Sequence, residues 1–586
     1  MLRLLSLRLA SLRRDDRGVA LVTVIGLGAV LLLLTATMLT VSLSGMTKSS
    51  KDDEWNGAIS AAYAGVEDYQ SKLAADSSYT KYGDVTTVFS RTSKFIGTGK
   101  NPAFGVGPAG TWASVDAAGR STFRYEVDNS AYADTGVLKL RSTGRVGTTT
   151  RTIVANLKQE GFIDFLYFTD YEISDPDFSS SKCVPSYAWD TGHDSDCTEI
   201  QFGSSDVIDG PAHSNDTLKI CGTTFNGRVT TGYKVAAGKK AYTSDSGCAA
   251  PTFKVPLSPE YSPKVSMPQT NLEMLQETRS DLIADGVPNP GCLYTGPTSI
   301  TFDKDGYMTV RSPWTIATNI TGDPVSGGSG NPACGTPGPG GLASAAGERI
   351  KVPTNNLIYV QGVTFAPDPV ATGDPNDWKS GSVPSTGFVC ENSDKGGAGT
   401  GNGIGYPVKN EVAPSSSSYG CYAGDVFVKG QMHSTATVAA AHYVYVAGDI
   451  TYTDPDTDML GLVGGNAVIV HNPVKKNGDL IDTSKSDRLV SAAILSVEHT
   501  FNVQNYSSGA KGKLIITGAI AQKFRGPVAL SSGGKITSGY VKSYVYDQRF
   551  RFTAPPKFLS PVSTTYGVTR LVESKTAFTS KGVEIK

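Results

Sequence analysis

Eight cysteines, six histidines and a few close-set carboxylates are the side chains of this 586-residue chain with the most chemistry to offer. The cysteines are Cys183, Cys197, Cys221, Cys248, Cys292, Cys334, Cys390 and Cys421. An even number, widely spaced and without C-x-x-C, suits disulfides formed in an oxidising compartment better than a zinc site or a redox dyad. Sequence-adjacent pairing would join 183 to 197, 221 to 248, 292 to 334 and 390 to 421, each stapling a local loop. Eight cysteines allow about a hundred connectivities, and spacing does not choose among them. Asp454, Asp456 and Asp458, in D-P-D-T-D, match the first half of a calcium loop. Met459 stands where such a loop needs glycine and Gly465 where it needs glutamate, so the run reads as a solvated acidic turn. Asp303 and Asp305, in D-K-D-G, read as a hairpin turn. The histidines, at 193, 213, 433, 442, 471 and 499, show no H-E-x-x-H or other ligand spacing. There is no G-x-S-x-G elbow, and the alternating glycines at 399–405 follow no strand, so they form a flexible loop rather than a phosphate cradle. No cofactor and no metal are expected.

Whatever positions these groups is poor in charge and rich in glycine. Charged residues are 18% of the chain, against about 25% in ordinary soluble domains, and there are 65 glycines. Fifty-three Lys and Arg offset 54 Asp and Glu, which leaves no global positive field for specific nucleic-acid binding. The charge is unevenly laid out at the N-terminus. Arg3, Arg8, Arg13, Arg14 and Arg17 face only Asp15 and Asp16, and the 30 positions 18–47 carry no charge. As a helix that run measures about 45 Å, enough to cross a hydrocarbon core of about 30 Å. Arginines before it place the short N-terminus in the cytoplasm and the body outside. The run is too long for a cleavable secretory signal, and Ser42-Leu43-Ser44-Gly45 makes a poor cleavage site. Beyond it Trp55, Ile59, Ala62, Val66, Tyr69 and Leu73 recur at helical spacing, and the 57 residues 19–75 contain no proline. One helix of about 85 Å is expected, half in lipid and half laid on a soluble domain.

The run Arg17-Gly18-Val19-Ala20-Leu21-Val22 resembles a class III prepilin leader, and the stretch 58–69, AISAAYAGVEDY, resembles the helix of PilX-type minor pilins of type IV pili. The resemblance implies cleavage by prepilin peptidase between Gly18 and Val19, N-methylation of Val19, and assembly with other pilins or pseudopilins through the N-terminal helix. Major pilins carry glutamate at the fifth mature position, where it pairs with a neighbour's N-terminal amine. Thr23 stands there in this chain and supplies no such charge, which points to a low-copy or tip-located subunit, as in PilX-like and capping pseudopilin proteins.

The exported part reads as β structure. Alternation at 123–127, 137–141 and 151–157 predicts three strands facing the helix. Further on, glycines 362, 430, 448 and 518 each follow an aliphatic pair, Ile358/Val360, Val426/Val428, Val444/Val446 and Leu514/Ile516. Short strands with glycine corners and an 18-residue interval between 430 and 448 argue for a β-solenoid, expected as a right-handed parallel β-helix, with a β-sandwich as the alternative. The segments 446–450, 460–463 and 524–528 resemble exported PilX-associated β-helical regions. A short helix is expected at 269–284, with Leu272, Leu275 and Leu282 on one side, and mobile loops at 320–348 and 392–420. The fold class is therefore α+β/all-β: leader 1–18, transmembrane helix 19–45, its amphipathic half 46–76, small β head 77–160, β body 161–552, and a tail at 553–586 that wraps the last coil or stays loose. Asp449, Glu498, Lys523 and Arg525 could share a sheet face, as in polysaccharide-cleaving β-helices, but no carboxylate pair at defined spacing supports turnover, and no enzyme is expected. The expected function is that of a membrane-anchored minor pilin or pseudopilin that displays a β-domain to a surface or polysaccharide ligand. A single-pass anchored surface protein that binds, or less readily cleaves, polysaccharide is the alternative.

Overall fold

The computed structural model describes residues 19–585 except 76, 106–110, 133–136, 160, 180, 237, 257, 280–289, 319–332, 368–375, 386–387, 391–400, 413–418, 533–534 and 562–565. The leader 1–18, with Gly18, lies outside the described residues, as do parts of both glycine-rich loops. One long helix, Val19–Ala75, runs unbroken for 57 residues. No proline interrupts it, and its internal glycines cost only about 1 kcal/mol each.

Of the predicted stripe, Ala62, Val66, Tyr69 and Leu73 are buried and Ile59 is partly buried against the same cluster, with Ala58 buried beside it. Trp55, at its start, is half exposed, with the Arg151 guanidinium 4.5 Å over its ring. The stripe packs on an antiparallel sheet of β1 (Ala113–Ser114), β2 (Ser121–Asp128), β3 (Val137–Val146) and β4 (Thr149–Gln159). Helix and sheet approach closely at Gly144, where an added Cβ would sit 2.1 Å from the Ala58 carbonyl oxygen. The expected three strands are thus present, and a fifth comes from the other end of the chain. Tyr566–Ser574 pairs antiparallel with β4, and Gln70 Nε2 donates to the Tyr566 carbonyl. Phe578 then lies under Arg124, whose Cζ is 3.8 Å from the ring centroid. The tail is therefore neither loose nor wrapped on the body alone. Part of it completes the head, and the body is an insertion between two neighbouring strands of one sheet.

The body is built on parallel pairing. In one run Cys292–Thr295 pairs with Asn356–Gln361, then in turn with Thr435–Ala440, Met459–Gly464, Arg488–Val503, Ala510–Phe524, Tyr167–Tyr171, Ala212–Ser214, Val229–Thr231 and Glu260–Tyr261. A second run stacks Thr298–Phe302, Val426–Met432, Tyr443–Tyr452, Ala467–Val470 and the end of Arg488–Val503. A third carries Ala510–Phe524, Lys535–Tyr546, Val207–Asp209, Thr224–Phe225 and Thr252–Phe253. Alternate side chains from all three, among them Ile358, Val438, Val444, Val468, Ile516 and Ile208, share one apolar core.

The chain thus enters the stack in its middle at 167, proceeds to one end at 261, and resumes at the other end at 292. The connection passes over the outside of the first run. Met267 and Met274 are buried there against Leu357, Tyr359, Ala439 and Val463, and Asn271 Nδ2 donates to Ala440 O at 2.7 Å. Its expected helix is a 3-10 turn, Leu272–Thr278; of the leucines expected on the covered side, Leu275 packs partly buried against this cluster, Leu272 is exposed, with Met274 buried instead, and Leu282 lies outside the described residues. The glycine alignment holds for one interval. Val426 pairs with Val444, but Ile358 pairs with Val438 and Leu514 with Arg488 and Lys542. Short aliphatic strands ending at glycine recur in all three runs, so the motif marks strands without marking which strands are neighbours.

The cysteines pair as Cys183–Cys197, Cys221–Cys248, Cys292–Cys334 and Cys390–Cys421. Each closes an excursion from the strand stack. The 292–334 bridge holds the described part of the first glycine-rich loop, where Leu342 is fully buried.

Candidate assembly surface

The long helix presents two surfaces of opposite character. Its C-terminal part is clamped on the head, while its N-terminal part stands exposed among the described residues. Leu21, Leu27, Leu32, Leu33, Met38, Val41 and Met46 point in different directions around the axis, and each is more than half exposed. An apolar surface on all sides of a helix is unstable in water and belongs in lipid or among like helices. The exposed part, roughly 35 residues, is about 50 Å long.

Six of its hydroxyls are already satisfied within the helix. Thr23 Oγ1 donates to Ala20 O at 3.1 Å, Thr35 to Leu31 O at 2.9 Å, Thr37 to Leu34 O at 2.9 Å, Thr40 to Thr37 O at 2.8 Å, Ser44 to Val41 O at 3.0 Å and Thr47 to Leu43 O at 2.6 Å. A hydroxyl bonded within its own helix loses little on leaving water. Thr23, at the position where the resemblance places a glutamate, is among them and carries no charge. At the other border Lys48, Lys51, Asp52, Asp53 and Glu54 precede Trp55. Glu54 accepts from Thr149 Oγ1 at 2.9 Å, which ties this charged collar to β4.

The other sequence candidates are scattered. Asp454 uses its carboxylate on its own turn, accepting from Asp456 N at 3.0 Å and Thr457 Oγ1 at 2.8 Å. Those bonds hold it below the ordinary carboxylate range. Asp458 is buried and accepts from Asp454 N and from His433 Nδ1 at 3.1 Å. These carboxylates are committed to a turn rather than gathered around a vacancy for calcium. Asp303 accepts from Asp305 N and Tyr307 N, as a hairpin turn requires. Of the four residues considered for glycan chemistry, Glu498 and Lys523 are half-buried, while Asp449 and Arg525 lie in opposite surroundings. Asp449 is surface-exposed and bound by Arg488 Nη1 at 3.1 Å, whereas Arg525 is buried, with Nη1 2.8 Å from Glu172 Oε2 and its Cζ 3.6 Å from the Phe202 ring centroid.

Sequence reading missed the interior charges. Lys542 Nζ lies 2.8 Å from Asp206 Oδ2; burial depresses its pKa and Asp206 opposes that. His193 sits between Asp216 and Glu199, 2.8 Å from each. Burial works against its charge, but the hydrogen bonds to both carboxylates prevail and hold its pKa up at about 9. Asp425, deeply buried, is pushed up to about 7, although Tyr443 N donates to it. Lys542 and Asp206 stand 336 positions apart, so no local motif marks that pair.

No family model matches the chain, and no curated protein matches it. Among solved structures, the competence-associated pilin ComZ from Thermus thermophilus is similar at 12% identity, over 89% of this chain and 97% of that one, with a TM-score of 0.25. A superposition at that score carries no functional argument.

Proposed function

We propose that this chain is a type IV pilus-like minor pilin or pseudopilin of the PilX kind. It resides in the membrane through its N-terminal helix until that helix is exchanged into an assembly of similar helices. The observation that carries the reading is the helix Val19–Ala75, apolar and exposed on all sides in its first part and clamped to a five-stranded head in its second. A rod held rigidly by the head at one end is suited to leave lipid only for an equally apolar environment. The four disulfides support an extracytoplasmic body. In this reading prepilin peptidase cuts between Gly18 and Val19, and Val19 is N-methylated. A neutral, internally bonded Thr23 suits a capping or priming position rather than the repeating shaft. The body is a right-handed parallel β-helix, a reading supported by the three runs of parallel pairing around one core. It serves adhesion or priming and turns over no glycan.

N-terminal mass spectrometry of the protein from cells with and without prepilin peptidase tests this. Methylated Val19 in the first and an intact leader in the second are expected. A start near residue 45, or an uncut Met1 in both, overturns it in favour of an ordinary anchor. An adhesive role leaves filament number unchanged in a deletion strain and lowers binding; a priming role lowers filament number.

A further inference from the structure

Three metal-ligating side chains outside everything assigned above converge where two distant parts of the chain meet. Asp175 and Asp177 flank the start of the short helix Pro176–Ser179, and His499 belongs to the strand Arg488–Val503, 324 positions after Asp175. One ligand atom of each lies within 4.8 Å of the others. His499 Nδ1 is 2.9 Å from Asp175 Oδ2, and its Nε2 is 3.8 Å from Asp177 Oδ2. The other oxygen of Asp175 is occupied by Asp177 N at 3.0 Å, which fixes the carboxylate with Oδ2 turned to the histidine. The Phe178 ring, 5.6 Å away by centroid, packs against the imidazole and restricts its rotation.

A second observation comes from the cavity beside them, of about 230 Å³, whose wall includes Asp175, Ser174, Thr500 and Asn502. Asn502 is 7% exposed, and its side-chain carbonyl has no hydrogen-bond partner among the described residues. A buried amide oxygen without a donor is costly and calls for a cation or an ordered water to satisfy it. A cation beside Asp175 with its own water in the cavity would meet that need.

We propose that Asp175, Asp177 and His499 bind one divalent cation of the zinc class, with water completing its coordination and only Asp175 of the three also lining the cavity. Two carboxylate oxygens and one imidazole nitrogen form the donor set of an open tetrahedral site, and the imidazole favours zinc over calcium or magnesium. Bound there, the cation ties the segment that opens the 183–197 disulfide loop to a strand from the far end of the body. It clamps two stretches joined by no local contact in sequence.

The test uses the full-length protein in detergent, stripped with EDTA and then freed of chelator. Zinc chloride is titrated calorimetrically, and bound metal is counted by mass spectrometry. One zinc per chain and a thermal midpoint raised by a few degrees at excess zinc are expected. Asp177→Asn alters an exposed side chain that the fold does not need, and should weaken zinc binding about tenfold or more. His499→Ala should abolish it, while His433→Ala, at a half-exposed histidine, should leave it unchanged. No stoichiometric zinc, tighter binding of calcium or magnesium, or zinc binding as tight as the parent's in Asp177→Asn or His499→Ala would each overturn the proposal. None of these readouts depends on leader cleavage or on filament assembly.

Discussion

Replacing Phe578 by alanine asks whether the end of the chain is structurally part of the head. Phe578 is 2% exposed, and the guanidinium carbons of Arg124 and Arg141 stand 3.8 and 5.8 Å from its ring centroid. Its carbonyl accepts from Thr150 Oγ1 of β4 at 2.9 Å. Truncating a buried phenylalanine costs about 3–5 kcal/mol, of which the cation–π contact with Arg124 supplies about 1 kcal/mol. Because Tyr566–Ser574 pairs along most of β4, that loss should reach β3 and β4 rather than stay in the tail. At about 1.4 kcal/mol per tenfold, the opening constant of the head should rise roughly 100- to 3,000-fold. Hydrogen–deuterium exchange of the full chain measures this directly: peptides covering β2, β3 and β4 should exchange faster by that factor. Peptides within 488–503, in the body, should be unaffected and serve as the internal reference. If β3 and β4 exchange within about threefold of the parent while 575–585 alone loses protection, the tail is an appendage and the insertion argument fails.

Gly144→Ala should loosen the helix from the head by about 1–3 kcal/mol, since the new methyl would meet the Ala58 carbonyl and the Ala62 nitrogen within 2.3 Å; faster proteolysis after residue 54, with the body intact, would report it. Glu172→Gln should cost about 3–5 kcal/mol by leaving the Arg525 charge buried without its partner, whereas the double change to Glu172→Met and Arg525→Met should recover much of that; equal midpoints for the two variants would contradict the reasoning. His193, held at about 9 when folded against 6.5 when free, stabilises the protein fully below pH 6.5 and progressively less as pH rises through about 9. Thermal midpoints of the parent should therefore fall more steeply than those of His193→Gln between pH 6.5 and 9.5, and parallel curves would refute the assignment.

What the amino-acid order determined by itself is what depends on neighbours a few positions apart. The helix Val19–Ala75 follows from an uncharged apolar run, an uninterrupted helical period and the absence of proline, all local properties of the chain. The strands β2, β3 and β4 were legible for the same reason, since alternation along one strand records which face is buried. The disulfide partners are sequence-adjacent, although the alternatives stayed open until the strands were in place.

Tertiary structure alone decided the rest. That Tyr566–Ser574 returns to β4, that the body starts mid-stack and closes beside its own entry, and that Ile358 meets Val438 rather than Val426 are choices among many strands of similar apolar pattern. Pairing energy between two such strands differs little from one partner to another, and only the whole core and its connections select the register. The charged groups were hidden by the same distance. Arg525 with Glu172, Lys542 with Asp206 and His499 with Asp175 each join residues more than 300 positions apart. A buried charge is tolerated only where its partner is delivered at hydrogen-bond distance, and that delivery is a property of the folded stack, not of any stretch of sequence.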